Sequence, residues 1–168
     1  MADEKPRVII IDDEKGLRTG TKRLLESEGY IVDTAENGME GIKLGTINDY
    51  DLAIIDLKMP DIDGIEVLRN IKEKMPNTVC FIATAYASYE TAIEATKIGA
   101  ASYIPKPFTP EELIHHLQEG YEKRKLILES ERLRKEKKER LLEIATEKSR
   151  LNTIVNSIAD GVVVTNVM

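Results

Sequence analysis

Short apolar runs alternate with longer segments of helical pattern between Arg7 and Pro105. Five runs have the length and the bounding turn residues that indicate strands buried on both faces. They are RVIII before Asp12, YIVDTA from Tyr30, LAII before Asp56, TVCFIA before Thr84 and SYIP before Lys106. Between them, apolar residues recur at helical spacing: Leu17, Leu24 and Leu25, then Met39 and Ile42, then Ile65, Leu68 and Ile71, then Ala92, Ile93 and Ala95.

This alternation predicts an α/β fold. Strands joined by right-handed helical crossovers form a parallel sheet with helices on both sides. We expect a flavodoxin-like, doubly wound sheet of five parallel strands in the order 2-1-3-4-5. In such sheets the reactive groups gather beyond the carboxyl ends of the strands, where the strand order reverses.

Polar side chains stand at those predicted strand ends. Asp12 and Asp13 follow strand 1, Asp56 follows strand 3, Thr84 follows strand 4 and Lys106 follows strand 5. Strands 1 and 3 are neighbours in the expected order, about 4.8 Å apart. Three carboxylates at that spacing require a cation.

Oxygen ligands with room for water favour Mg²⁺, whereas zinc would need His or Cys. With Mg²⁺ bound, Asp56 can attack phosphorus while Lys106 and the Thr84 hydroxyl hold the phosphoryl oxygens. The pattern therefore predicts an aspartyl-phosphate site. Helix capping by Asp12 or Asp13 is the simpler alternative, but it explains one acid and not the whole group.

The motifs VIIIDDE, LAIIDLKMPDIDG, FIATA and SYIPKPF occur in this order. Over about residues 5–120 they resemble the receiver (CheY-like) domains of two-component response regulators. The resemblance implies that Asp56 is the phospho-acceptor and that Asp13 and Asp56 bind Mg²⁺ directly. It also implies that Asp12 acts through water and that the Lys58 backbone carbonyl is a third protein ligand.

The same resemblance assigns the remaining groups. Thr84 would be the switch hydroxyl, Tyr103 the switch aromatic and Lys106 the phosphate-binding cation, with a cis bond before Pro107. On pattern alone, Tyr103 is an ordinary strand aromatic.

Lys58 and Tyr86 occupy the positions two residues after Asp56 and Thr84, where the family varies. They would flank the path of a hydrolytic water and tune the lifetime of the phosphate.

The composition of the chain argues against nucleic-acid binding, cysteine chemistry and membrane insertion. The chain has 168 residues, a net charge of −6 and 32% charged residues. An acidic chain without a helix-turn-helix or zinc pattern is not expected to bind nucleic acid. The single cysteine, Cys80, is expected to be a small core residue in a reducing cytoplasm. With no signal peptide and no apolar run near the ~20 residues that span a membrane, we expect a soluble cytoplasmic protein.

The fifth helix begins at Pro110 and is predicted to continue without a break through the mixed-charge run from Glu129 to Arg140. Beyond it, a 4-3 spacing indicates a heptad seam. We expect a parallel two-stranded coiled coil and hence a homodimer; a single solvated helix is the alternative. The seam residues are Lys137, Leu141, Ile144, Lys148, Leu151, Val155 and Ile158.

The last residues, SIADGVVVTNVM, predict a turn at Ser157, Asp160 and Gly161 followed by a β-branched strand. They resemble the entry into a PAS sensor domain. The expected organisation is a receiver at 1–119, a coiled-coil linker at 120–156 and the start of a further domain at 157–168.

Of three functional classes, we expect the first, a phosphorylation switch that relays its state through the fifth helix to an output domain. A phosphorylation switch would take phosphate from a cognate histidine kinase or phosphotransfer protein and would not itself be an enzyme, although an enzymatic output domain could follow. A Mg²⁺-dependent phosphatase needs a second acid where Lys58 stands, and an FMN protein needs a Ser/Thr/Gly-rich loop where DDEKG stands. A non-phosphorylated docking module is the third class. The adjacent His115 and His116 point about 100° apart on a helix and are expected at the surface.

Overall fold

The computed structural model of the chain describes the backbone of residues 4–167 and the side chains up to residue 159. Strands and helices alternate from the first described element to the last. In order they are β1 Arg7–Ile11, α1 Lys15–Ser27, β2 Ile31–Ala35, α2 Gly38–Ile47, β3 Leu52–Ile55, α3 Gly64–Lys74, β4 Val79–Thr84, α4 Tyr89–Ile98, β5 Ser102–Pro105 and α5 Pro110–Val167.

The strands form one parallel sheet in the order β2-β1-β3-β4-β5, which confirms the predicted topology. Ile11 at the end of β1 pairs with Ile55 at the end of β3, and Ile55 pairs with Ile82 of β4. β1 and β3 therefore end at the same level, while β4 continues past Ile82 to Thr84, so the residues that follow these strands emerge at one edge of the sheet.

Two apolar clusters cover the two faces of the sheet. Successive strand residues point to opposite faces, so Ile9 and Ile11 belong to one cluster and Val8 and Ile10 to the other. Cys80 is fully buried in the first cluster, and burial raises the pKa of its thiol to about 12. This confirms that Cys80 is a core residue.

Helix α2 packs through glycines. A Cβ atom at Gly41 would lie 2.6 Å from Cγ2 of Ile11, and one at Gly45 would lie 2.8 Å from Cδ1 of Ile71. The helix backbone thus sits directly on its neighbours. Met39, which the helical spacing of apolar residues had marked, is 61% exposed, because the glycines occupy the packed side.

Helices α2, α3 and α4 each begin with a side-chain cap, and so does α5, where the Thr109 hydroxyl accepts the Glu112 N–H at 3.1 Å. Asn37, Asp63 and Ser88 accept hydrogen bonds from the backbone N–H groups of Glu40, Glu66 and Thr91, respectively. Each bond satisfies one amide that has no partner inside its own helix.

The chain divides into a compact unit that ends at Ile127 and a second unit that begins at Leu128. Helix α5 is continuous through the charged run, as predicted. Within the second unit, Arg132 pairs with Glu129 and Glu136 on the same helix. The seam residues Leu141, Ile144, Leu151, Val155 and Ile158 are all more than half exposed.

The turn and strand predicted after Ser157 are wrong for the described backbone. Helix α5 runs on through Asp160 and Gly161 to Val167. An isolated strand leaves its backbone groups unpaired, whereas a helix satisfies them within the segment. In the part of the chain that the structure describes, none of the helices has the length and apolar character needed to cross a membrane.

Candidate functional site

Three carboxylates meet at the carboxyl edge of the sheet. Asp12 and Asp13 follow β1, and Asp56 follows β3; its N–H donates to the Ile11 carbonyl at 2.9 Å. One oxygen from each of the three carboxylates lies within 4.8 Å of the others. Asp12 and Asp56 are buried, at 5% and 8% exposure, while Asp13 is exposed.

Lys106 reaches this cluster from the end of β5. Its Nζ donates to Oδ2 of Asp12 at 2.7 Å and lies 3.6 Å from Oδ2 of Asp56. Its backbone N–H donates to the Thr84 carbonyl at 2.9 Å. The peptide bond between Lys106 and Pro107 is cis, as the family resemblance implied. A single ammonium group therefore partly neutralises two acids.

The Thr84 hydroxyl is fully buried at the end of β4. It accepts a hydrogen bond from the Tyr86 N–H at 3.1 Å. The structure thus brings Thr84, Lys106 and the three acids to one edge of the sheet.

Asp12 is held on both carboxylate oxygens. Oδ1 accepts the Glu14 N–H at 2.9 Å, and Oδ2 accepts Lys106. The N-cap residue of α1 is Glu14, and its side chain makes no capping bond. Both oxygens of Asp12 therefore already accept a hydrogen bond.

The pKa of the Asp56 carboxyl is raised above its ordinary value. Burial is the largest cause, Lys106 opposes it, and Asp12 adds to it; the Thr84 hydroxyl lowers the pKa and Asp13 raises it. The protein therefore disfavours charge on Asp56 until a further cation is supplied. The atoms of this cluster that could bind a metal ion are all carboxylate oxygens. Because Mg²⁺ prefers oxygen ligands, the residues fit that ion.

The loop after Asp56 doubles back closely on itself. The Gly64 N–H donates to the Leu57 carbonyl at 2.8 Å. A Cβ atom at Gly64 would overlap the backbone carbonyl of Asp56. Only glycine allows the backbone at position 64 to come this close to Asp56. Lys58, which lies between the two, is exposed.

Lys58 and Tyr86 meet beside the carboxylates. The Lys58 Nζ lies 3.9 Å from the centroid of the Tyr86 ring, a cation–π contact. Both residues line a cleft of about 480 Å³ together with Asp13, Asp56 and Lys106. The two positions that the resemblance assigned to the water path thus contact each other in the cleft that Asp56 lines.

Tyr103 is partly buried against the first core cluster. Its hydroxyl shares a hydrogen bond of 2.8 Å with the Thr91 hydroxyl, which in turn lies 2.7 Å from the Ser88 hydroxyl. A chain of hydroxyl groups therefore connects β5 to the N-terminus of α4. Thr91 and Ser88 were not predicted as site residues; the helix-capping pattern before α4 is the sequence signal that could have indicated them.

The two histidines lie outside the cleft. His115 is exposed and lies 3.3 Å from Glu119. His116 Nδ1 and the Ser102 hydroxyl are 3.1 Å apart. His115 is exposed and His116 is partly buried, in agreement with the expected surface or rim position.

A buried cation at the opposite end of the sheet has no signal in the sequence pattern. Arg124 of α5 is 5% exposed. Its Nε donates to Asp51 at 2.7 Å, Nη1 to the Asn77 carbonyl at 2.6 Å and Nη2 to Asp49 at 3.1 Å. The guanidinium thereby fastens α5 to the segments before β3 and β4.

A second missed group is Asp61 in the loop after β3. Its two carboxylate oxygens accept the N–H groups of Gly38 and Met39, the first two residues of α2, at 2.9 and 2.8 Å. No local pattern marks either Asp61 or Arg124, because their partners are distant in sequence.

Known proteins similar to this chain are response regulators or their receiver domains. A family model described as the response regulator receiver domain matches residues 8–118. The transcriptional regulatory protein ResD of Bacillus subtilis is 39% identical over 108 residues, which cover 64% of this chain and 45% of ResD. The chain spans about half the length of the curated relatives that it matches.

Solved structures agree with this match. A CheY-like receiver domain protein from Methanospirillum hungatei is 32% identical with a TM-score of 0.71, covering 73% of this chain and 98% of that chain. A response regulator protein from Burkholderia pseudomallei, solved with a phosphorylated aspartic acid, a calcium ion and citrate, is 28% identical with a TM-score of 0.65. That match covers 71% of this chain and 70% of the other.

Proposed function

Because this chain belongs to the response regulator receiver domain family, we propose that it is a phosphorylation switch with Asp56 as the phosphoryl acceptor. The observation that carries the proposal is the cluster of three carboxylates and Lys106 at one cleft. Phosphorylated aspartic acid in the related Burkholderia pseudomallei structure supports it.

Asp13 and Asp56 would bind Mg²⁺ directly, the Lys58 carbonyl would be a third ligand and Asp12 would act through water. When bound, Mg²⁺ supplies positive charge that offsets the acids and the phosphoryl oxygens. Asp12 meanwhile holds the Lys106 ammonium beside Asp56.

In the reaction, an Asp56 oxygen forms a bond to phosphorus as the bond from phosphorus to the donor breaks. The donor is a phospho-histidine of a cognate histidine kinase or phosphotransfer protein, and the departing imidazole takes up a proton. Lys106 stabilises the charge on the phosphoryl oxygens. Lys58 and Tyr86 cover the approach of a water molecule to the acyl phosphate.

The phosphorylation test uses acetyl phosphate and Mg²⁺ with detection by intact mass. We expect one added phosphoryl group on the native chain, none on Asp56→Asn, and none after chelation of the metal. Asp49→Asn, which changes an exposed acid outside the cleft, is the matched control and should be labelled like the native chain.

Full labelling of Asp56→Asn would contradict the acceptor assignment. A native chain that binds Mg²⁺ but takes no phosphate from acetyl phosphate or phosphoramidate would favour the docking-module alternative.

Phosphate on Asp56 would act on the switch residues Thr84 and Tyr103. New acceptor oxygens beside Thr84 would draw its hydroxyl toward the site. Tyr103 would then exchange its bond with Thr91 for a more buried position. The affected surface is formed by α4, β5 and α5, so the signal would leave through α5.

We also propose that the heptad seam from Lys137 to Ile158 pairs two chains as a parallel coiled coil. The exposed stripe of Leu141, Ile144, Leu151, Val155 and Ile158 supports this, since a helix that is otherwise polar gains little by leaving it uncovered. Phosphorylation would change the strength of this pairing by about 1–3 kcal/mol, typical for coupling between sites.

Light scattering on the native chain tests the pairing, with a dimer expected at tens of micromolar. Leu151→Lys places a charge in the seam and should weaken the dimer by a few kcal/mol. The neighbouring Asn152→Lys lies off the stripe and should leave the mass unchanged. A native monomer at these concentrations would remove the coiled coil.

A further inference from the structure

The loop between Asp56 and Gly64 holds both the acceptor and the carbonyl assigned to the metal. Its two ends are fixed to the sheet and to each other: the Asp56 N–H bonds to Ile11, and the Gly64 N–H bonds to Leu57. The intervening residues Lys58 and Asp61 are exposed. Exposed loop segments are mobile unless a specific contact holds them.

Asp61 supplies such a contact. Its carboxylate spans two consecutive N–H groups of α2, bonding Gly38 through Oδ1 at 2.9 Å and Met39 through Oδ2 at 2.8 Å. Hydrogen bonds from backbone N–H groups to an ionised carboxylate are stronger than neutral ones, and the positive end of the helix dipole favours a carboxylate there. The same backbone bonds, led by that of Met39, lower the pKa of Asp61, so Asp61 is charged at neutral pH.

Packing beside these bonds is equally close. A Cβ atom at Gly38 would lie 3.0 Å from the Ile62 carbonyl oxygen and 3.1 Å from Ile62 Cβ. The start of α2 therefore lies so close to Ile62, the residue after Asp61, that a side chain at Gly38 would crowd it. The loop is docked on α2 by two hydrogen bonds and by direct contact.

Helix α2 has its own cap in addition to Asp61. Asn37 accepts the Glu40 N–H at 2.8 Å, and Asn37 is not part of the loop after β3. Capping of α2 and docking of the loop are therefore carried by different residues, and they can be separated by mutation.

We propose that Asp61 is a positioning residue for divalent-cation binding: by docking the loop on α2, it holds the segment that carries the Lys58 carbonyl beside the carboxylate cluster. This inference rests on the proposed function, since it concerns the metal of that site. Residues that orient metal ligands from outside typically change metal affinity 10- to 100-fold when mutated.

The experiment is a titration of the full chain with MgCl₂ by calorimetry, repeated with Mn²⁺ by electron paramagnetic resonance of the free ion. We expect Asp61→Ala to weaken binding of both ions about tenfold. Asp61→Asn keeps one acceptor oxygen and should lose affinity by a smaller factor. Urea midpoints are measured on the same samples without metal.

Two matched controls separate positioning from other effects. Asn37→Ala removes a cap of α2 without releasing the loop, so it should lower the urea midpoint while leaving metal affinity within about twofold. Glu36→Gln removes one negative charge just before α2 and should likewise leave affinity nearly unchanged.

Equal metal affinity in Asp61→Ala and the native chain would overturn the inference while leaving the proposed function standing. Equal losses of affinity in Asp61→Ala and Asn37→Ala would also overturn it, because the effect would then be general to α2. Failure of the native chain to bind either ion would instead refute the metal-dependent function itself.

Discussion

Replacing Arg124 with alanine tests how α5 is fastened to the sheet. Arg124 makes three hydrogen bonds from a side chain that is 6% exposed. The Arg124→Ala variant leaves Asp51 Oδ1 and the Asn77 carbonyl without the guanidinium. We expect this to be among the most destabilising single changes of a polar residue in the chain.

The magnitude follows from the exposure of the partners. Removing one member of a buried ion pair costs about 3–5 kcal/mol. The Asp51 side chain is 23% exposed and keeps a bond from the Arg7 N–H at 2.7 Å, so water and that bond recover part of the loss. We therefore expect about 3 kcal/mol, at the lower end of that range.

Urea unfolding followed by tyrosine fluorescence is the appropriate assay. The chain has no tryptophan and six tyrosines, all in the unit that ends at Ile127, so the signal reports that unit and not the remainder of α5. These tyrosines are Tyr30, Tyr50, Tyr86, Tyr89, Tyr103 and Tyr121.

Two further variants make the result interpretable. The Asp49 side chain is 75% exposed, so Asp49→Ala should cost less than about 1 kcal/mol. Arg124→Lys keeps the charge but loses the planar fork that reaches three acceptors, and it should fall between the two. If Arg124→Ala costs no more than Asp49→Ala, the inference that Arg124 fastens α5 is refuted.

Three other outcomes are expected. The pKa of the Asp56 carboxyl is raised in the folded chain, mainly by burial. The uncharged carboxyl therefore contributes its full stability below the pKa of the unfolded chain, and this contribution to the free energy of unfolding is lost as pH rises through the folded pKa. In metal-free buffer at pH 7, Asp56→Asn should therefore raise the urea midpoint, and the difference should vanish near pH 3; an unchanged midpoint at pH 7 would contradict this. Gly64→Ala should lower the free energy of unfolding by about 1–3 kcal/mol and slow phosphorylation by acetyl phosphate, because a Cβ atom there meets the Asp56 carbonyl. Labelling at the native rate would contradict the close approach of Gly64 to Asp56. Tyr86→Ala removes the ring that contacts Lys58 and should shorten the phosphate lifetime measured by release of inorganic phosphate, whereas a longer lifetime would show that the pair does not shield the site.

Much of the fold could be predicted because the signals for it are local. The apolar runs that form β1, β3 and β4 are bounded by turn residues, and parallel strands bring their ends to one edge. That rule alone placed Asp56 beside Asp12 and Lys106, which are distant in sequence. The family of the chain was predicted from the same motifs.

Other contacts have no local signal. Arg124 bonds Asp51 and Asp49, 73 and 75 positions away in sequence, and Asp61 bonds residues 22 and 23 positions away. Such pairs depend on how distant loops and helices dock against one another in the folded chain. The exposure of Met39 has a similar origin, since glycine packing within α2 determines which side faces the sheet.

The segment after Ser157 shows a different limit. β-branched residues favour a strand only where neighbouring strands exist to pair with it. In the described backbone the preceding helix continues instead. The resemblance to a PAS domain entry stays a prediction about a longer protein.

The glycines of α2 have a consequence for local unfolding. Gly41 and Gly45 each cost the helix about 0.5–1 kcal/mol relative to alanine, so α2 is held by its contacts with Ile11 and Ile71 more than by its own propensity. Its amide hydrogens should therefore exchange with solvent through local opening before those of β3 and β4. Since Asp61 bonds the first turn of α2, any ligand that orders the loop after β3 should also slow hydrogen exchange along this helix. Amide exchange in α2 would thus report whether the loop after β3 is ordered.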